Sequence, residues 1–236
     1  MAADASAAIA DCRRLEDDIQ RLLAPRRTVT LNTAADALPG DLPKPERPRN
    51  GTVVFSAAAF APRKGMPLLV EAFARAAQSH PDAALRIAGD GAERSEVERA
   101  IRETGVSERV ELLGFLPHRA FLAEMANCDL FALVGWEEPC ATVYMNAMSA
   151  GKPIVCCSDG GITDVLEHGV QGFTVRPRDI SQAAEAISRL LEDKSERQRM
   201  GEEGRKLHGE RLTWDANAKR LHQVLSKAAS STSTGQ

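Results

Sequence analysis

Two carboxylates beside a proline, Glu137-Glu138-Pro139, separate an apolar run (Leu130 to Val134) from a helical pattern opening at Thr142. A helix start presents unpaired backbone N–H groups and a partial positive charge, which suits a diphosphate. A carboxylate next to it accepts hydrogen bonds from sugar hydroxyls. Upstream, Phe60-Ala61-Pro62-Arg63-Lys64-Gly65 places a lysine in a loop after another apolar run. A third loop, Gly89-Asp90-Gly91, follows a third such run but does not have the GxGxxG spacing. Each feature alone has a plainer reading: a solvated loop, a surface lysine ahead of a helix, and a tight turn. Glu137 is read as solvated. The other titratable residues offer less. His80, His168, His208 and His222 sit in surface-like contexts, and no Ser/His/Asp arrangement is suggested.

The elements that must hold these loops alternate from Gly51 onward. Short apolar strands are expected at Thr52–Ser56, Leu85–Ala88, Val110–Leu113, Leu130–Val134, Ile154–Cys157 and Phe173–Val175. Helical spacing is seen at Pro67–Ala77, 93–103, Arg119–Asn127 and Thr142–Ala150, the last stopped by Gly151. Gly160-Gly161 leads into one or two helical turns ending near His168-Gly169, and Asp179 is placed to cap a helix to about Leu191. Two further helices are expected near 194–207 and 214–228. Strands apolar on both faces, alternating with helices, argue for a doubly wound α/β fold with a parallel sheet. Ligands of such sheets bind beyond the carboxyl ends of the strands. Lys64, Gly89 to Gly91, Phe115-Leu116 and Glu138 all follow strands, so strand order alone brings them together.

Residues 1–23 read as one amphipathic helix, with Ile9, Cys12, Leu15, Ile19, Leu22 and Leu23 at helical spacing. Residues 36–50 are rich in proline and read as a linker, residues 51–212 as the α/β domain, and residues 213–236 as a helix with a Ser/Thr tail disordered from Ser230. The net charge of -3, with no basic block, gives no reason to expect a nucleic-acid partner. No apolar run approaches the ~20 residues of a transmembrane helix, and the first ten residues lack a signal-peptide pattern. The five cysteines lack metal-ligand spacing, and Cys156-Cys157 fall within an apolar strand, so reduced core thiols are expected. That usage points to the cytoplasm.

The string from Gly135 to Val155 closely resembles the donor-sugar signature of retaining GT-B glycosyltransferases of the group 1, or family 4, type. The family carries a glutamate before the proline, here Glu138, and a second eight positions later, where this chain has Asn146. The resemblance implies that Glu138 contacts the transferred sugar. It also implies that Cys140, Ala141 and Thr142 present backbone N–H groups to the phosphates and that Asn146 lies near the ribose. The family usually has Phe-Gly at Cys140-Ala141. The Phe60–Gly65 loop resembles one whose lysine, here Lys64, neutralises the leaving diphosphate. That lysine's partner arginine, five residues earlier, is replaced by Ala59. Adjacent residues point different ways, so Arg63 is not expected to substitute for it. Gly89 and Gly91 correspond to a glycine-rich turn, and Phe115 and Leu116 to a segment whose main chain borders the base. Gly160-Gly161 through Gly172 corresponds to a further glycine run, with Asp164 loosely replacing a Glu-type residue.

The resemblance covers roughly Arg27 to Lys227, but only the second, donor-binding half of a two-domain fold. Residues 1–35 correspond to a remnant of the first domain. The expectation is therefore hexosyl transfer from a nucleoside diphosphate sugar with no resident cofactor, weak or absent in this chain alone. The rival is a non-catalytic sugar-nucleotide-binding subunit whose acceptor domain comes from a separate chain, and a truncated product would look the same.

Overall fold

The computed structural model describes residues 7–25, 27–44 and 51–233. Residues 45–50 of the proline-rich stretch 36–50 lie outside them. The main sheet has six parallel strands: β3 (Val53–Ala57), β4 (Ala84–Ala88), β5 (Val110–Gly114), β6 (Leu130–Leu133), β7 (Ile154–Cys157) and β8 (Gly172–Val175). They lie in the order β5-β4-β3-β6-β7-β8. All the residues of β3, β4, β6 and β7 are buried, the burial expected of a parallel sheet covered on both faces.

Between the strands run α2 (Met66–Ala76), α3 (Arg94–Glu103), α4 (His118–Asn127) and α5 (Thr142–Ser149). After β8 come α6 (Ile180–Glu192), α7 (Lys194–Arg211) and α8 (Trp214–Ser233). Asp179 caps α6 by accepting from the Gln182 N–H at 2.9 Å, as its position suggested. All five cysteines are buried and unbridged. Burial pushes the thiols of Cys140 and Cys157 up to about 12, so both stay protonated at neutral pH.

Three expectations fail. First, residues 8–23 are not one helix. Ala8–Ala10 forms a strand, β1, and α1 begins only at Arg13 and runs to Leu23. β1 pairs in parallel with β2 (Thr28–Thr30), making a small βαβ unit. Cys12 has an extended backbone, and the first helical N–H, of Arg13, donates to Asp164 Oδ2 at 2.6 Å. A partner 151 residues away thus fixes where this helix starts. Second, α8 continues through Ser233, past the point where disorder was expected. Third, His208 is 3% exposed, not a surface residue. Its ring Nε2 lies 3.0 Å from the carbonyl of Ala35, which accepts from it.

The same junction carries more bonds. Ala35 N–H donates to Leu212 O at 3.1 Å, Asn217 Nδ2 to Asn32 O at 2.7 Å, and Arg220 to Thr30 O at 3.1 Å. Burial lowers the pKa of His208, and the Ala35 hydrogen bond only partly offsets it. The unfolded chain therefore binds a proton more readily than the folded one as pH falls below about 6.5. Stability should fall with pH from there down to the folded pKa. Denaturant melts at pH 7.5 and 5.5 should show this slope, and His208→Gln should flatten it. An unchanged slope would remove His208 as its source.

Candidate functional site

The strand order changes direction between β3 and β6, and the crevice beyond their carboxyl ends is where sheets of this kind hold ligands. Two loops meet there. Residues 58–65 follow β3, and residues 134–141 follow β6. Their approach is close: Trp136 N–H donates to Arg63 O at 3.0 Å. Gly135 permits it, because a Cβ there would lie 2.9 Å from Arg63 O and 3.2 Å from Lys64 Cα.

This docking brings Lys64 and Glu138 together. The Lys64 ammonium is hydrogen-bonded to Glu138 Oε2, with side-chain exposures of 16% and 7%. Arg63, not expected to help, reaches the same oxygen, with Nη1 at 3.4 Å. Alternation of neighbours holds in strands, but Pro62–Lys64 is a single 3-10 turn, and both side chains reach across to Glu138. Glu137 is 60% exposed, as its solvated reading required, and reaches Arg14 of α1 at 3.4 Å. Its φ of 52° is left-handed, unusual for a non-glycine residue, and its N–H donates to Asp159 Oδ2 at 3.1 Å. Such backbone strain turns the chain so that the next carboxylate, Glu138, points inward. The Glu138 carbonyl in turn accepts from Gly161 N–H at 2.8 Å.

Beyond these loops α5 starts. Thr142 is its first residue and Ala141 its N-cap, with no side chain capping it, and the Tyr144 N–H closes the first turn on Ala141 O at 3.1 Å. Tyr144 fixes the helix by donating to Leu133 O at 3.2 Å. Cys140 is buried, and Asn146 lies one turn into the helix, also buried. Alongside opens a cleft of about 480 Å³. Ala57 to Ala59, Gly89 and Asp90 form one side, Phe115 and Leu116 another, and Val143 joins it to the start of α5. Phe115 is 86% exposed at its rim. Gly91 stands behind the wall against the Phe60 backbone rather than in it. Lys64, Glu138, Cys140, Ala141, Thr142 and Asn146 lie outside the cleft wall.

Several lining residues were not taken as site residues from sequence: Ala57, Ala58, His118, Phe121 and Val143. The run Ala57-Ala58-Ala59 directly after a strand was the available signal, since small residues there leave room for a ligand. Among the described residues, no three His, Cys, Asp or Glu side chains group as metal ligands. No helix there is long and apolar enough to cross a membrane.

A six-stranded parallel sheet flanked by helices in this order has the fold of GT-B glycosyltransferases. A model of the family described as glycosyl transferases group 1 matches residues 41–207, and the chain belongs to that family. The chain is 34% identical over 164 residues to the exopolysaccharide phosphotransferase SCO2592 of Streptomyces coelicolor, covering 67% of this chain and 17% of that protein. It is 30% identical over 150 residues to the alpha-D-kanosaminyltransferase of Streptomyces kanamyceticus, covering 64% and 39%. The chain thus spans well under half the length of these relatives. Among solved structures, Anabaena Alr3699/HepE in complex with UDP aligns with a TM-score of 0.81 at 25% identity, covering 94% of this chain and 64% of that one. Sucrose-phosphate synthase from Thermosynechococcus elongatus shares the fold, with a TM-score of 0.83 at 23% identity over 97% of this chain and 60% of its own.

Proposed function

We propose that this chain is the donor-binding half of a retaining hexosyltransferase, holding a nucleoside diphosphate sugar at the β3/β6 switch point. The observation that carries the reading is the Lys64–Glu138 pair, which joins the loops after β3 and β6 at the switch point, with a mainly apolar cleft lined in part by the same β3 loop. The cleft accommodates the nucleoside, with the main chain at Phe115 and Leu116 bordering the base and Gly89 and Gly91 shaping the turn beneath. The diphosphate lies across the N–H groups of Cys140, Ala141 and Thr142. Lys64 offsets the charge that grows on the diphosphate as the sugar–phosphate bond breaks, and Glu138 accepts from the sugar hydroxyls. Asn146 faces the ribose with one acceptor where a carboxylate would offer two oxygens. No resident cofactor is required. The similarity to a protein solved with UDP supports this ligand class.

Ala59 and Asn146 each stand where a charged side chain would strengthen the hold on the same ligand, which favours a second reading, a sugar-nucleotide-binding subunit without turnover of its own. Calorimetric titration with UDP, GDP and their hexose conjugates, alongside a hydrolysis and transfer assay, separates the two. Binding with no turnover supports the subunit, turnover by the lone chain supports the enzyme, and no binding to any of them overturns both.

A further inference from the structure

We propose that Arg63 is the second cation of the diphosphate site, doing from the adjacent position what no residue of the cleft wall can do. This rests on the nucleoside diphosphate reading above. The cleft wall contains one carboxylate, Asp90, and no lysine or arginine among its described lining residues. Asp90 is already engaged by Arg94 at 3.1 Å and by Gly91 N–H at 2.8 Å. The cations that reach Glu138 are Lys64 and Arg63, both from the 62–64 turn.

There the charges are layered. Glu138 is innermost, Lys64 is 16% exposed and Arg63 is 49% exposed. Two cations thus share one carboxylate oxygen, Glu138 Oε2, and the outer of them is the more exposed. The Arg63 backbone is pinned by the Trp136 N–H, so its guanidinium swings from a fixed root. The Arg63 guanidinium makes only long contacts, from Nη1, at 3.4 Å to Glu138 Oε2 and 3.5 Å to Glu137 O. Among the described residues, its other N–H groups have no partner. A guanidinium held so loosely gives up little when it turns its fork to two phosphate oxygens. In doing so, with Lys64, it releases Glu138 to accept from the sugar. The diphosphate and the sugar are thereby coupled: the anion removes the cations that otherwise occupy the sugar's acceptor.

Calorimetric titration of the full chain with UDP, GDP and inorganic pyrophosphate, at 50 and 300 mM NaCl, tests this. Arg63→Ala should weaken binding of the best of these probes about 10-fold, the loss expected for one charge-assisted hydrogen bond. It should also flatten the salt dependence. Arg63→Lys should recover part of the affinity. The melting temperature should hardly move, because Arg63 is half exposed. If Arg63→Ala matches the wild type in affinity and salt dependence while the wild type binds, the inference alone is overturned. If the wild type binds none of the three probes, the inference and the site reading fall together.

Discussion

Lys64→Ala should reduce affinity for a nucleoside diphosphate by about 10- to 150-fold, the cost of one hydrogen bond to a charged group. Any transfer activity should fall further, by about 100- to 1,000-fold, because charge on the leaving diphosphate peaks in the transition state. Two consequences of the change add. The ligand loses its least exposed cation, and Glu138, 7% exposed on its side chain, keeps only the long contact to Arg63. A buried carboxylate stripped of its close partner is destabilising, so the variant should also melt earlier. Lys64→Ala combined with Glu138→Gln separates the effects: the melting temperature should recover while affinity for UDP stays low. Calorimetry and thermal melts on the wild type and the two variants supply the comparison. A single-variant Kd within threefold of the wild type would place the diphosphate elsewhere.

Gly89→Ala should be the most damaging single methyl group in the site. Gly89 has φ of 132°, a conformation that L side chains rarely adopt, and an added Cβ would lie 1.9 Å from the Ala58 carbonyl oxygen. That carbonyl belongs to backbone, so no rotamer change relieves the contact. The loops after β3 and β4 must separate, which opens the cleft wall and breaks Ala58 N–H···Ala88 O at 3.2 Å. Strain of this kind costs about 1–3 kcal/mol for the backbone alone, before the clash. A chemical-denaturation midpoint and a UDP titration should both move against the variant. Unchanged stability would mean that the two loops yield without strain.

The sheet was readable because each strand is short and largely apolar and, β3 apart, ends at or near a glycine or polar break. The three-residue β1 was not. Ala8, Ile9 and Ala10 continue the helical spacing of α1, and pairing with β2, not local preference, makes them a strand. His208 misled for a similar reason. It lies in a largely polar helix, and only the docking of residues 34–36 against α7 and Leu212 buries it. At the site, Lys64, Glu138 and the cleft-bordering Gly89, Phe115 and Leu116 were legible because loop position after a strand implies nearness. Arg63 was not, since its reach depends on a 3-10 turn packed against Gly135.

The bonds joining residues 30–35 to residues 208–220 also set an order of assembly. The β1–α1–β2 unit is itself short-range, but several of its anchors, at Thr30, Asn32 and Ala35, are made to segments 173 to 190 residues downstream. On the ribosome, earlier residues emerge long before those segments exist. The six-stranded sheet can close once β8 has emerged, while the anchors at Thr30, Asn32 and Ala35 must wait for α7 and α8. Protease susceptibility within residues 30–35 should therefore be lost late in synthesis, after the main sheet is already protected.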